Sequence, residues 1–129
     1  MRKSVKRILA LGLSAVLVGS VFAGCTAQNS KYTIGIIQSQ QHSALDLATQ
    51  GFQDAVKKAL GEENVEITLQ NASGDSATCA TIANQFVADG VDLIMANATN
   101  ALQASMAATA DIPIVATSVT DYATALEMS

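Results

Sequence analysis

The sequence predicts an α/β fold, a doubly wound parallel sheet, and two observations lead to that prediction. Short runs rich in β-branched and other apolar residues alternate along residues 32–129 with longer segments whose apolar residues recur at helical spacing. The connections between them are short and contain the Gly, Asn, Asp and Ser residues typical of turns. Because parallel strands are joined by crossover helices, this alternation favours a parallel sheet covered by helices on both faces.

Four short apolar runs are the predicted strands, at residues 33–37, 65–69, 91–95 and 114–116. The first run, TIGII, contains little polarity, which suits a strand that is buried on both faces. Asp111, Ile112 and Pro113 form the turn that leads into the last strand.

The first predicted helix covers residues 43–60. Its apolar stripe consists of Leu45, Ala48, Phe52, Val56, Ala59 and Leu60. Ser43, with Asp46 three residues later, resembles a capping box at the start of the helix. Gly61 supplies the stop at its end.

Two further helices follow the second and third strands. The loop at residues 71–75 has turn and cap chemistry, and the helix after it runs to about Asp89 and stops at Gly90. One face of this helix carries Cys79, Ile82, Ala83, Phe86 and Val87. The third helix is capped by Thr99 and carries Leu102 and Met106.

The strand order follows from the handedness of the crossovers. Each connection between parallel strands is right-handed by default, so three helices that cover both faces require the chain to reverse direction once across the sheet. The order 2-1-3-4 accomplishes this and places a switch point between the first and third strands. The length of 129 residues allows one domain.

The charge distribution excludes one class of partner. The net charge is −4, and four of the seven basic residues lie in the first seven positions. After Cys25 the basic residues are Lys31, Lys57 and Lys58, against all 11 acidic residues. Phosphate backbones would repel such a surface, so a nucleic-acid partner is not expected.

The N-terminus is typical of an export signal. A basic segment at residues 1–7 precedes an apolar run, and the small residues Ala23 and Gly24 precede Cys25. Residues 1–24 are therefore predicted to be a signal peptide, and residues 25–31 a polar tether. The Ala-Gly-Cys sequence resembles the lipobox of bacterial lipoproteins, and this resemblance implies that Cys25 is lipidated and anchors the tether to the membrane. An ordinary cleaved signal and an uncleaved anchor are the alternatives. If Cys25 is lipidated, Cys79 has no cysteine partner for a disulfide, and we expect it to serve as a small buried apolar residue.

The candidate binding residues lie in three polar loops that follow strands. Ligands of open parallel sheets bind beyond the carboxyl ends of the strands. The candidates are Ser39, Gln41, His42, Asn97, Ala98, Thr99, Thr117, Ser118 and Asp121. Two of these loops run into helix N-termini, whose free N–H groups favour a carboxylate or another anion. A small polar ligand would suit such a site.

Each candidate also has a structural interpretation. Ser39 could simply end its strand, His42 and Thr99 could cap helices, and Asn97 could satisfy loop backbone groups. Asp121 could be solvated, or it could hold the ammonium group of a ligand. A capping residue can also contact an anion, so the two roles do not exclude each other.

The stretch from residue 32 to residue 121 resembles the first lobe of the ABC-transporter substrate-binding lipoprotein family that includes tryptophan and tyrosine binders. The matching pieces are IGIIQSQQHSALDLATQGF, VEITLQNASGD, QFVADGVDLIMANAT and DIPIVATSVTD. The Ala-Gly-Cys ending resembles a lipobox, although Phe22 stands where Leu is usual. The resemblance implies a type I periplasmic-binding-protein-like fold, in which two similar lobes close over a ligand.

The resemblance also implies which residues line the cleft, namely Ser39, Gln41, His42, Ala98, Thr99, Thr117, Ser118 and Asp121. There are departures from the family pattern, since Asn100 and Tyr122 replace prolines that are common in relatives. We expect residues 32–129 to be the N-terminal lobe, with a second lobe missing from the sequence.

The functional expectation is an extracytoplasmic lipoprotein that captures a small solute, with an aromatic amino acid favoured, for an ABC permease and ATPase. The alternative is an extracellular ligand-sensing module coupled to a membrane receptor. The sequence contains no nucleotide-binding glycine motif, no nucleophile elbow and no metal-spaced cluster, so an enzyme, a cofactor and a metal are not expected.

Overall fold

The computed structural model describes residues 30–127. Its strands are β1 (Tyr32–Gln38), β2 (Val65–Asn71), β3 (Leu93–Asn97) and β4 (Ile114–Thr117). Its helices are α1 (Ser43–Leu60), α2 (Ser76–Asp89), α3 (Thr99–Ala108) and α4 (Tyr122–Ala125), and a 3₁₀ turn covers Glu62–Asn64. None of the helices within this range is long and apolar enough to cross a membrane. The predicted signal peptide and Cys25 lie outside the described residues.

The strands form one parallel sheet in the order β2-β1-β3-β4, which confirms the predicted fold class and strand order. The register aligns the last residues of all four strands. Gln38 is opposite both Asn71 and Asn97, and Asn97 is opposite Thr117. All four carboxyl ends therefore meet at one edge of the sheet.

The helices divide between the two faces, as right-handed crossovers require. Helix α1 packs on a cluster that contains Ile34, Ile36 and Met95, against which Phe52 and Val56 lie. The opposite face belongs to α2 and α3, whose cluster contains Ile37, Ala96, Cys79, Phe86 and Leu102. Alternate residues of a strand point to opposite faces, so neighbouring positions in β1 contribute to different cores.

The approach of α2 to the sheet depends on Gly35 in β1. A Cβ atom at this position would lie 2.5 Å from the ring of Phe86, closer than carbon atoms can approach. Phe86 is one of the largest fully buried side chains among the described residues. Cys79 lies in the same core, which confirms its predicted burial on the apolar stripe of α2.

The third strand begins two residues later than predicted and ends two residues later. Gly90 ends α2 in the left-handed conformation, as predicted, and the N–H of Val91 then bonds back to the carbonyl of Phe86. This is the bond pattern of a Schellman motif, so Val91 still belongs to the helix end. Strand pairing consequently starts at Leu93 and extends to Asn97.

Two predicted caps are wrong. The N-cap of α1 is His42, whose Nδ1 accepts a bond from the N–H of Ala44, so Ser43 and Asp46 form no capping box. Asp46 instead accepts a bond from Gln38. Thr99 is the first residue of α3, and Ala98 holds the N-cap position. The predicted stop at Gly61 is confirmed, whereas Ala59 and Leu60 are exposed at the end of the predicted stripe.

Candidate ligand-binding site

The three polar loops predicted to bind a ligand leave the sheet side by side. The N–H of Ser39 donates to the carbonyl of Asn97 at 3.1 Å, and the N–H of Ala98 donates to the carbonyl of Thr117 at 2.9 Å. These bonds extend the strand pairing by one residue into the loops. We call the loop residues 39–42, 98–100 and 117–121 the rim.

The predicted site residues differ in how far they reach the surface. Gln41, His42, Ser118 and Asp121 are exposed. Ala98, Thr99 and Thr117 are half-buried. Ser39 and Asn97 are buried, and Asn97 has no exposed surface at all. Seven of the nine predicted residues therefore reach the surface at the rim, whereas the side chains of Ser39 and Asn97 are buried.

Asn97 is held inside the protein by helix α1. Its Nδ2 donates to the carbonyl of Leu45 at 2.8 Å and to Oγ1 of Thr49 at 2.9 Å. Its Oδ1 is buried and finds no hydrogen-bond partner among the described residues. The side chain thus joins the end of β3 to the first turns of α1.

Ser39 lies over the start of α2. Its carbonyl accepts a bond from the N–H of Gly74 at 2.8 Å, which ties the loop after β1 to the loop after β2. Burial raises the pKa of the Cys79 thiol, and a hydrogen bond with the Ser39 side chain offsets part of that rise. A thiol with a raised pKa is a poor nucleophile, which fits the structural role predicted for Cys79.

The helix that starts in the middle of the rim is capped differently from the other helices. Side chains of His42, Asp75 and Asp121 accept bonds from the first-turn N–H groups of α1, α2 and α4. Ala98 offers no such acceptor to α3, whose first helical bond runs from Leu102 to the Ala98 carbonyl. The N–H groups of the first turn of α3 can therefore receive an anion, which the positive end of the helix dipole also favours.

The backbone is strained at the same place. Ala98 has φ 88° and ψ 165°, a region that is essentially restricted to glycine, and Ser118 in the neighbouring loop has φ 58°. Such conformations cost of the order of 1–3 kcal/mol each and collect at binding sites. At Ala98 the strained turn directs the chain from the buried end of β3 into α3, so that the first turn of the helix meets the rim.

Asp121 supplies a negative charge at one end of the rim. Its carboxylate accepts bonds from the N–H and the hydroxyl of Thr124, at 3.2 and 2.7 Å. These two bonds, the hydroxyl bond first, lower the pKa of Asp121 below its ordinary value of 3.8. The carboxylate is therefore charged at neutral pH, and its remaining lone pairs can accept a bond from a ligand ammonium group.

A polar groove of about 390 Å³ lies between α1 and the edge strand β2. Its lining consists of Gln38, Gln41, Asp46, Thr49, Gln50, Gln53, Leu69 and Asn71. The sequence analysis missed Gln38 and Thr49. A signal existed, because Gln38 directly follows the run at residues 33–37 that was predicted as the first strand, and Thr49 stands within the predicted apolar stripe of α1. In the part of the chain that the structure describes, no cluster of His, Cys, Asp and Glu side chains could hold a metal ion.

Comparison with known proteins gives separate evidence on the family to which the chain belongs. The family model for the ABC transporter substrate binding protein matches residues 33–126. A tyrosine-binding protein from Clostridioides difficile (strain R20291) is 39% identical over an alignment 132 positions long, which covers 90% of this chain and 38% of that protein.

Two solved structures share the fold. A ligand-free, open substrate-binding protein with adhesive properties from Clostridium difficile superposes with a TM-score of 0.69 at 43% identity, over 73% of this chain and 32% of that one. An ABC domain in complex with L-Trp from Streptococcus pneumonia superposes with a TM-score of 0.70 at 36% identity, over 75% and 33%.

The chain thus spans about a third of the length of the relatives it matches. The described residues form a single lobe of a type I periplasmic-binding-protein-like fold, as the sequence predicted. The family is one of solute-binding proteins rather than enzymes. Sequence, sheet topology and relatives agree, and the chain belongs to the ABC transporter substrate-binding protein family.

Proposed function

We propose that this chain is the ligand-binding lobe of an extracytoplasmic lipoprotein that captures an aromatic amino acid for an ABC importer. The observation that carries the proposal is the uncapped N-terminus of α3, which lies between the polar loops at residues 39–42 and 117–121 at the carboxyl edge of the sheet. This arrangement offers N–H and O–H donors to one end of a ligand and the carboxylate of Asp121 to the other.

The α-carboxylate of an amino acid suits the first turn of α3. Backbone N–H groups of residues 99–101 can donate to it, and the hydroxyls of Thr99, Thr117 and Ser118 are the nearby side-chain donors on the same rim. The α-ammonium group is the natural partner of the charged Asp121. Gln41 and His42, which are exposed on the other side of the rim, add polar contacts.

The aromatic side chain of the ligand is proposed from the relatives. One relative is a tyrosine-binding protein, and a solved relative contains L-Trp. Apart from Ala98 and Val119 the rim residues are polar, and they include one imidazole, so this lobe supplies mainly the contacts for the amino and carboxyl groups. Closure of a second lobe over the ligand, as the family resemblance implies, would bury the ring and strengthen binding.

A ligand comparison tests the proposed chemistry. Isothermal titration calorimetry of the 129-residue chain would use L-tyrosine and two analogues, tyramine without the carboxylate and 3-(4-hydroxyphenyl)propionate without the ammonium group. We expect binding to L-tyrosine, weaker binding to the propionate, and the largest loss with tyramine. Equal heats for L-tyrosine and tyramine would contradict a carboxylate site at α3.

Membrane attachment is part of the same proposal. Residues 1–24 serve as the signal peptide, Cys25 carries the lipid, residues 25–31 form the tether, and residues 32–129 form the lobe. We expect cells that express the chain to incorporate labelled palmitate into it, and Cys25→Ser to abolish the label, with Cys79→Ser as the matched control. Labelling that survives Cys25→Ser would exclude lipidation at this residue.

The location and partners follow from the family. Substrate-binding proteins of ABC importers work outside the cytoplasm and deliver their ligand to a permease that is driven by an ATPase. The acidic surface after Cys25 leaves a small solute as the proposed ligand rather than a nucleic acid.

A further inference from the structure

Three buried polar side chains from different elements form a continuous chain of hydrogen bonds beneath the rim. Gln38 ends β1, Thr49 lies in α1, and Asn97 ends β3. Gln38 and Thr49 are each 3% exposed, and Asn97 is fully buried. We call these three residues the polar relay.

The bonds of the polar relay run in one direction. Asn97 Nδ2 donates to Thr49 Oγ1 at 2.9 Å, and Thr49 Oγ1 donates to Gln38 Oε1 at 2.8 Å. Gln38 Nε2 then donates to the Asp46 carboxylate at 2.6 Å and to the carbonyl of Gln40 at 3.0 Å. The Asp46 carboxylate and the carbonyls of Gln40 and Leu45 can only accept, so reversing either amide would place two acceptors opposite each other.

The polar relay connects the parts of the protein that form the rim. At one end, Gln38 bonds to the Gln40 carbonyl inside the first rim loop and to Asp46 just beyond it. At the other end, Asn97 bonds to the Leu45 carbonyl in the first turn of α1 and directly precedes the strained Ala98. These bonds therefore link the position of the first rim loop, residues 39–42, to the position of the start of α3.

Stability alone does not account for this arrangement. The buried Oδ1 of Asn97 has no partner among the described residues, and a buried unpaired acceptor costs about 1–3 kcal/mol. Apolar side chains of similar volume could fill the same space without that cost. In addition, β1, α1 and β3 already pack against one another through the apolar cluster that contains Ile36 and Met95.

We infer that the polar relay is a positioning device, which holds the first rim loop and the N-terminus of α3 at the spacing that the ligand requires. Thr49 is its central positioning residue, because its hydroxyl makes both internal bonds. This inference rests on the proposed binding of an amino acid at the rim. The relay residues themselves lie below the rim and act through the residues that touch the ligand.

The test replaces Thr49 in two ways. Thr49→Val keeps the shape of the side chain and removes the hydroxyl, whereas Thr49→Ser keeps the hydroxyl. The matched control is Thr81→Val, because among the described residues the exposed Thr81 hydroxyl bonds only to the Ala77 carbonyl of its own helix. Amide hydrogen exchange and the dissociation constant for L-tryptophan are measured for each 129-residue variant at a temperature where circular dichroism shows it fully folded.

We expect Thr49→Val to accelerate exchange at residues 39–42 and 98–100 and to weaken L-tryptophan binding about tenfold, the factor that corresponds to 1.4 kcal/mol. Thr49→Ser should restore both values, and Thr81→Val should change neither. Wild-type exchange and affinity in Thr49→Val, or the absence of rescue by Thr49→Ser, would overturn the inference.

A second variant covers the case in which Thr49→Val fails to fold. Asp46→Ala removes only the exposed acceptor at the end of the relay, and Asp54→Ala on the same helix is its control. Faster exchange at the rim in Asp46→Ala alone supports the relay, and equal exchange in both variants refutes it. If the wild-type chain binds no L-tryptophan, the proposed function fails, whereas the exchange measurements still decide whether the relay positions the rim.

Discussion

The two faces of the sheet are built from the same strands but differ in polarity at the carboxyl ends of those strands. On the face covered by α2 and α3, the strand residues stay apolar, with Gly35, Ile37, Ile94 and Ala96 packed against the helices. On the face covered by α1, every strand turns polar at its last residue, as the row Asn71, Gln38, Asn97 and Thr117 shows. The face under α2 and α3 therefore contributes apolar packing up to the ends of the strands. The face under α1 has hydrogen bonds beside the rim in place of some of that apolar contact.

The largest expected effect comes from breaking the apolar face. Phe86→Ala should lower the free energy of unfolding by about 3–5 kcal/mol, because it leaves a cavity where the ring packs against Gly35. Phe52→Ala on the α1 face is the comparison, and it should cost less because Phe52 is only partly buried. Urea denaturation followed by circular dichroism measures both. Equal losses would show that the two faces carry the same share of stability.

A smaller effect of opposite sign is expected at the rim. Ala98→Gly should raise the free energy of unfolding by about 1 kcal/mol, because glycine relieves a conformation that costs other residues about 1–3 kcal/mol. Ala107→Gly, on the exposed face of the same helix, should instead lower stability by about 1 kcal/mol. Denaturation midpoints decide the signs, and destabilisation by Ala98→Gly would mean that the turn is not strained.

The smallest effect is the pH dependence of three surface carboxylates. Hydrogen bonds from Thr78, Thr33 and Thr124 lower the pKa of Asp75, Asp92 and Asp121, respectively, below the ordinary value of 3.8. Since the folded pKa lies below the unfolded one, each carboxylate stabilises the fold above about pH 4 and loses that contribution as the pH falls through the folded value.

Denaturation at a series of pH values tests this dependence. We expect the fall in stability below about pH 4 to be shallower in the triple variant that replaces these aspartates with asparagine, because asparagine does not titrate there and still caps helices. Parallel curves for the wild type and the triple variant would contradict the assigned hydrogen bonds.

Most of the fold could be predicted because its signals are local and periodic. The apolar runs and the stops at Gly61 and Gly90 were enough for the four strands and the first three helices, and crossover handedness led to the strand order. The short helix α4 and the 3₁₀ turn were not predicted. The beginning of β3 could not be predicted from the apolar residues at 91–95, because the N–H of Val91 takes part in the C-terminal cap of α2. The first residue of a helix was also hard to predict, since His42 is the N-cap of α1 although Ser43 is also a common N-cap residue.

The site was only partly predictable for a related reason. A parallel sheet brings its carboxyl ends together, so the positions of the three rim loops followed from the strand order. The burial of Asn97 depends on α1 crossing directly over the end of β3, a contact between residues 48 and 52 positions apart in sequence. Periodicity contains no information on such contacts, so sequence alone could not separate a ligand-binding asparagine from an internal one.

The proposed binding mode requires that the first turn of α3 receives the carboxylate of an amino acid. Two-dimensional ¹H–¹⁵N NMR of the labelled chain, titrated with L-tryptophan and separately with tryptamine, tests it most directly. We expect L-tryptophan to shift the amide signals of Thr99 and Asn100 in a saturable manner, and tryptamine, which lacks the carboxylate, to leave them in place. Unchanged signals at these two residues, with saturable shifts elsewhere on the lobe, would contradict it.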